Sequence, residues 1–184
     1  MLAIITRPYY CHMPRRFALQ PIYHPESLFV SEGASQWLGN FWVATDGRLV
    51  QQVAFGTPPP AHSEDDALGR DVARQLHEFL DGDRRSVEAP LDWAGLPPAH
   101  HAILQTLYET IHWGDTVAYG ELAAMAGFPG AARAAGTACR MNPFAIVVPA
   151  HRVIAAGNRL GGFLGRPDLK RRLLAREGSG PFRD

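Results

Sequence analysis

A chain of 184 residues, 46% apolar and 20% charged, is long enough for one domain or two small ones sharing a core, and its balance is that of an ordinary globular protein. No apolar run approaches the length of a membrane span, the apolar stretch within residues 1–7 is too short for a signal peptide, and two cysteines, Cys11 and Cys139, make no disulfide framework, so a cytoplasmic protein is expected. The net charge of zero hides an asymmetry: residues 1–100 carry 8 basic and 12 acidic side chains, a balance of −4, and residues 101–184 carry 10 and 6, a balance of +4. Apart from Lys170 the basic residues are all arginine, which suits phosphate contacts and minor-groove insertion, although arginine-rich codon usage produces the same bias.

Residues 1–35 show no recognisable pattern. Cys11, His12 and His24 lack the spacing of a zinc site, so no metal is expected. Between residues 40 and 56, two β-rich runs flank Asp46-Gly47, which predicts a hairpin with a type I′ turn. Ser63-Glu64-Asp65-Asp66 forms a near capping box, opening a helix with Leu68, Val72, Leu76, Phe79 and Leu80 on one face; Asp81-Gly82-Asp83 stops it. Residues 91–98 are turn-rich and read as a linker. It divides a structural α/β domain, residues 1–95, from a second domain, residues 96–184.

In the second half, Ile103, Leu104, Leu107 and Ile111 make a helix face, and Trp113-Gly114-Asp115 breaks it. A short helix follows from Tyr119, with Gly127 just past its end. Phe128-Pro129-Gly130 is a turn, and residues 131–140 form a second helix built almost wholly of small residues. Helix, tight turn and small-residue helix make a helix-turn-helix pattern, and the small side chains would let the helix backbone approach a nucleic acid groove closely. A transcription regulator with this pattern reads bases through polar side chains on the second helix. Arg133 and Thr137 are the main candidates here, which argues against sequence readout. Residues 142–154 are an apolar run that reads as a buried extended segment carrying Pro149-Ala150-His151-Arg152 to the wall of a pocket. A glycine-rich loop through Gly161-Gly162-Phe163 and a last helix follow; the helix starts at Pro167, carries Leu169, Leu173 and Leu174, and ends at Glu177-Gly178.

Tyr119-Gly120-Glu121-Leu122-Ala123, Pro129-Gly130-Ala131-Ala132-Arg133-Ala134, Arg140-Met141-Asn142-Pro143 and Val148-Pro149-Ala150-His151-Arg152-Val153 stand in one order and spacing. Together they resemble the signature of the 6-O-alkylguanine-DNA alkyltransferases, over about residues 36–178. The departure falls on the decisive position, because the alkyl-accepting cysteine of that family is Ala150 here. The resemblance implies an α+β fold: an N-terminal RNase-H-like hairpin and helix, and a C-terminal winged helix-turn-helix-type DNA-binding domain.

The resemblance also implies a set of roles. Arg133 would hold the space of an extruded base, with Tyr119, Ala131, Ala132, Ala134, Thr137 and Arg140 along the DNA. Tyr119 would also supply a proton or hydrogen bond at the base. Val148, Pro149, Phe163 and Leu164 would wall the base pocket, and Asn142 and Arg152 would hold the motif in shape. His151 and Glu177 would be the relay that deprotonates the missing thiol at Ala150. The expected partner is double-stranded DNA containing alkylated guanine, followed by nucleotide excision repair proteins, and a monomer without cofactor is expected. The function so implied is a lesion binder that flips 6-O-alkylguanine without alkyl transfer. The alternative is a methylated-DNA–protein-cysteine methyltransferase whose cysteine has been exchanged for alanine. The retained relay favours the exchanged enzyme. The altered wall, Phe163-Leu164-Gly165-Arg166-Pro167, favours the native cysteine-less binder.

Overall fold

The computed structural model describes residues 29–35, 39–56 and 65–183. Cys11, His12, His24, Pro58-Pro59-Pro60, Ser63 and Glu64 lie outside them. The first half is an antiparallel sheet of β1 (Phe29–Ser35), β2 (Gly39–Thr45) and β3 (Val50–Phe55) in that order, with α1 (Ala67–Asp81) packed on β1 and β2. The second half holds α2 (Pro98–Thr110), α3 (Tyr119–Met125), α4 (Ala132–Arg140) and α5 (Pro167–Arg176). A short parallel pair, β4 (Val117–Ala118) with β5 (Val153–Ile154), completes it.

The amphipathic reading of the helices holds. Val72, Leu76, Phe79 and Leu80 of α1 are buried, as are Ile103, Leu104 and Leu107 of α2 and Leu169, Leu173 and Leu174 of α5. The cap of α1 is Asp66, whose carboxylate accepts from the Gly69 amide at 2.6 Å, and the helix ends at the left-handed Gly82.

Four sequence expectations change. The hairpin turn is not a two-residue type I′ turn. Thr45 pairs with Val50 across four residues, and the Asp46 carboxylate accepts from the Arg48 and Leu49 amides at 2.9 and 2.8 Å. An aspartate that satisfies the backbone two and three residues on offers a competing turn, and it wins here. The strand β1, within the stretch that showed no pattern, pairs along all of β2. Its sequence Phe-Val-Ser-Glu-Gly-Ala-Ser has little β propensity, so pairing rather than composition makes it a strand.

Residues 142–154 are not one extended segment. Asn142 folds the run back on itself: its Nδ2 donates to the Val148 carbonyl at 3.0 Å and its Oδ1 accepts from the Phe144 amide at 3.0 Å. Ile146 sits in the left-handed region at φ 70°, and Val148 donates to the Phe144 carbonyl. Residues 150–152 are a single 3₁₀ turn leading into β5. Uniform burial of Phe144, Ala145, Ile146, Val147 and Val148 produces the same apolar run whether the chain is straight or folded, so the pattern could not tell the two apart.

The stretch read as a linker is tied to the sheet at its start. Val50 donates to the Pro90 carbonyl and accepts from Asp92, giving Leu91 a parallel bridge on the free side of β3. The folded motif uses the same side: Val53 donates to the Pro143 carbonyl at 2.9 Å and accepts from Ala145 at 3.1 Å. One hydrophobic core therefore runs from Phe41 and Val53 through Leu76 and Leu107 to Phe144, Val148 and Leu173. The sheet of the first half is the floor on which the motif is built.

Candidate nucleic-acid interface and base pocket

The motif turn is delivered by two anchors, Asn142 before it and β5 after it, and its side chains close a buried polar knot. Ala150, His151 and Arg152 are 4%, 0% and 5% exposed, so no water competes for their partners. The Glu177 carboxylate takes three hydrogen bonds: Arg152 Nε on Oε2 at 2.9 Å, Arg152 Nη2 on Oε1 at 3.0 Å, and His151 Nε2 on Oε1 at 2.9 Å. The fork geometry of arginine matches a carboxylate bidentately. The remaining Nη1 of Arg152 donates to the Ile111 carbonyl at 3.0 Å, where α2 ends. Arg152 thus ties the motif to two distant elements; the sequence pointed only to a tie within the loop.

Burial opposes ionisation of Glu177, but the hydrogen bonds from His151 and Arg152 outweigh it and hold the carboxyl below its usual range. Burial likewise pushes the His151 imidazole below its ordinary value, against the pull of Glu177. A neutral imidazole beside an ionised carboxylate donates through Nε2, which leaves Nδ1 as a bare acceptor. His151 Nδ1 is buried and without a partner among the described residues. The ring is held edge-on between Phe79 at 6.1 Å and Phe163 at 5.8 Å between centroids. The ring is next in sequence to Ala150, whose methyl group has no proton to give.

Tyr119 opens α3 directly after β4. Its ring lies against Gly136 of α4, and a side chain at Gly161 would come within 3.5 Å of its hydroxyl. Burial, with the Cys139 thiol beside it, pushes the phenol up to about 12, so it stays protonated and can donate a hydrogen bond. Burial also pushes the Cys139 thiol up to about 12, so it stays a thiol rather than a thiolate near neutral pH. Val148 and Phe163 are buried, and Leu164 is half-buried at φ 50°.

On α4, Ala135 and Ala138 face the core. Arg133 and Arg140 are exposed, Thr137 is half-exposed, and its hydroxyl donates to the Arg133 carbonyl at 3.0 Å. Ala131, Ala132 and Ala134 cover the start of the helix without a long side chain. Arg133, Thr137 and Arg140 thus lie on one face of α4, and His151, Arg152 and Glu177 share one interior.

Lys170 was missed as a site residue. It is fully buried, and its ammonium donates to the Val153 carbonyl at 2.5 Å and the Gly162 carbonyl at 3.4 Å, pinning the glycine loop to the motif. Burial pushes it down to about 8. The signal was present: the chain's single lysine falls within the buried stripe Leu169, Leu173, Leu174. Among the described residues no group of three or more histidine, cysteine, aspartate or glutamate side chains could hold a metal, and no helix is long and apolar enough to cross a membrane.

Residues 98–179 match the family model described as 6-O-methylguanine DNA methyltransferase, DNA binding domain. A DNA base-flipping protein of Thermus thermophilus is 36% identical over 77% of this chain and 95% of its own length. A methylated-DNA–protein-cysteine methyltransferase of Methanosarcina acetivorans is 38% identical over 66% of this chain and 76% of its own. Among solved structures, Mycobacterium tuberculosis OGT in complex with DNA superposes with a TM-score of 0.71 at 32% identity, over 81% of this chain and 92% of that one.

Proposed function

The chain belongs to the 6-O-methylguanine DNA methyltransferase family, and we propose that it binds duplex DNA, draws a 6-O-alkylguanine out of the stack into the pocket beside Ala150, and transfers nothing. The observation that carries this is the complete knot of His151, Arg152 and Glu177 next to an alanine: the hydrogen bonds that hold the motif are all made, and no sulfur stands at residue 150.

Extruding a base costs a few kcal/mol in lost stacking and pairing, least for a damaged base. Arg133, exposed on α4, fills the vacated space; Arg140 and Thr137 lie along the groove; Ala131, Ala132 and Ala134 let the helix backbone close on the sugar-phosphate wall. The Tyr119 hydroxyl donates to the extruded nucleotide, and Val148, Pro149, Phe163 and Leu164 line its pocket. Residues 96–184 form the DNA-binding unit, of winged helix-turn-helix type. Residues 1–95 are the structural, RNase-H-like unit beneath it. The protein acts as a cytoplasmic monomer, and the protected lesion is handed to nucleotide excision repair proteins. The family relationship and the placement of α4 support this reading.

One observation favours the second reading, a methyltransferase whose cysteine has been exchanged: His151 keeps a neutral ring with an unpartnered Nδ1, as a base for a thiol requires. Two measurements separate the possibilities. Gel-shift titration at one salt concentration is expected to show tighter binding to duplex containing 6-O-methylguanine than to undamaged duplex; equal affinities would remove both readings. The Ala150→Cys variant, incubated with radiolabelled methylated DNA, is expected to take up label slowly or not at all while still binding the lesion. The wall at residues 163–167 has diverged, and a misalignment of about 1 Å can cost on the order of a hundredfold in rate. Fast stoichiometric labelling would establish the methyltransferase reading instead.

A further inference from the structure

Among the described residues, the large apolar side chains left exposed are Met125 at 51% and Phe128 at 36%. Both sit where α3 hands over to α4. The exposure is built in. Gly127, at φ 88°, donates to the Ala124 carbonyl at 3.0 Å, Phe128 donates to Ala123 at 2.8 Å, and Phe128 accepts from Ala131 at 3.1 Å. The backbone of Phe128 is thus bonded on both sides and presents its ring from a fixed turn. The eleven residues 122–132 carry no charge, so nothing there attracts phosphate through a side chain. Two large exposed apolar side chains three residues apart in an uncharged stretch make this tip a candidate contact surface.

Its neighbour identifies the partner. Arg133 follows Phe128 by five residues, and Arg133, Gly136, Thr137 and Arg140, at i, i+3, i+4 and i+7, make the outward stripe of α4 opposite the buried Ala135 and Ala138. Arg133 and Arg140 are about 10 Å apart along the helix, at about 1.5 Å per residue. A minor groove is about 6 Å wide, so a helix seated there carries its leading turn onto the groove wall or the next base step. Phenylalanine, methionine and proline are among the side chains that minor-groove proteins insert as wedges, and Met125, Phe128 and Pro129 supply all three.

We propose that Phe128, backed by Met125, is a second wedge in the minor groove, packing against a base step beside the flipped nucleotide and holding the groove open while Arg133 occupies the stack. The proposal rests on the reading of α4 as the DNA-facing helix and on its seating in the minor groove. A wedge of this kind acts on any duplex, so its contribution appears with undamaged DNA as well as with the lesion.

The test compares the full chain with its Phe128→Ala and Phe128→Lys variants on undamaged and 6-O-methylguanine duplexes over a range of salt, with end-labelled duplex reporting bending by energy transfer. Melting curves matching the wild type establish that the exposed site tolerates both changes. Phe128→Ala is expected to weaken binding to both duplexes about tenfold, to reduce bending, and to leave the salt slope unchanged, because no phosphate contact is lost. Phe128→Lys is expected to lose affinity likewise. Unchanged affinity in Phe128→Ala overturns the wedge and leaves the tip to a protein partner. A gain in affinity with a steeper salt slope in Phe128→Lys also overturns it, placing the tip beside phosphates. Loss of lesion preference in the wild type would overturn the proposed function without touching the wedge, which undamaged duplex still reports.

Discussion

The interior around residues 150–152 and the outer face of α4 are built on opposite principles. In the interior, Glu177 takes three hydrogen bonds and Arg152 gives all its charge to fixed partners, in a volume sealed from water. On the outer face, small residues surround two exposed arginines, and the polar contact there is the local bond from Thr137 to Arg133. The interior is complete without a ligand; the outer face acquires its purpose only against one. Stability should therefore reside in the first region and DNA affinity in the second, with little exchange between them.

The sharpest way to break that division is Glu177→Ala. It strands the Arg152 guanidinium in a buried site, which costs about 3–5 kcal/mol. Urea denaturation should show the midpoint falling accordingly; a loss below about 1 kcal/mol would mean the knot is open to water. Arg133→Ala should do the converse: lesion affinity falls about tenfold or more in titration with methylated duplex while the melting temperature stays put. Its control, Arg159→Ala, lies on an exposed turn where Arg159 Nε donates to the Ala156 carbonyl, and should lose only the small share owed to general attraction for phosphate. Equal losses for the two would take away the special place of Arg133.

The gentlest probe is acid. The folded-state carboxyl of Glu177 titrates below its ordinary value, so its contribution to stability is full above about pH 4.5 and disappears as pH falls through the lowered value. His151 is also depressed, so the unfolded chain binds its proton first, and stability starts to decline as pH drops below about 6.5. Both act in the same direction. Melting temperature should fall from pH 7 to pH 4 and the fall should begin near pH 6.5; a flat profile would contradict a neutral buried His151.

The two regions were unequally legible in the sequence. The outward residues of α4, Arg133, Thr137 and Arg140, were named through the family resemblance, since a helix of small residues carries little phase, and the inward Ala135 and Ala138 came from the structure. The helices α1, α2 and α5 were legible because large apolar side chains at helical spacing mark one face. The interior was legible in its members but not in its wiring. Arg152 lies 25 residues from Glu177 and 41 from Ile111, and no local pattern records a pairing over that distance. The fold of residues 142–148 was hidden by uniform burial, since an apolar run carries no phase once both sides are covered. Lys170 was hidden by the opposite habit, the presumption that lysine seeks water.

The edge of β3 carries a consequence for how the chain can be divided. Leu91 occupies that edge near Val50, and Phe144, from the second half, occupies it near Val53. Cutting the chain between the halves would strip Val53 of its partners in Pro143 and Ala145 and expose the core face that Phe144 covers. An uncovered strand edge beside apolar surface is a template for intermolecular pairing. The isolated first half should consequently aggregate on expression, and the second half, supplied in trans during refolding, should keep it dispersed by covering that edge.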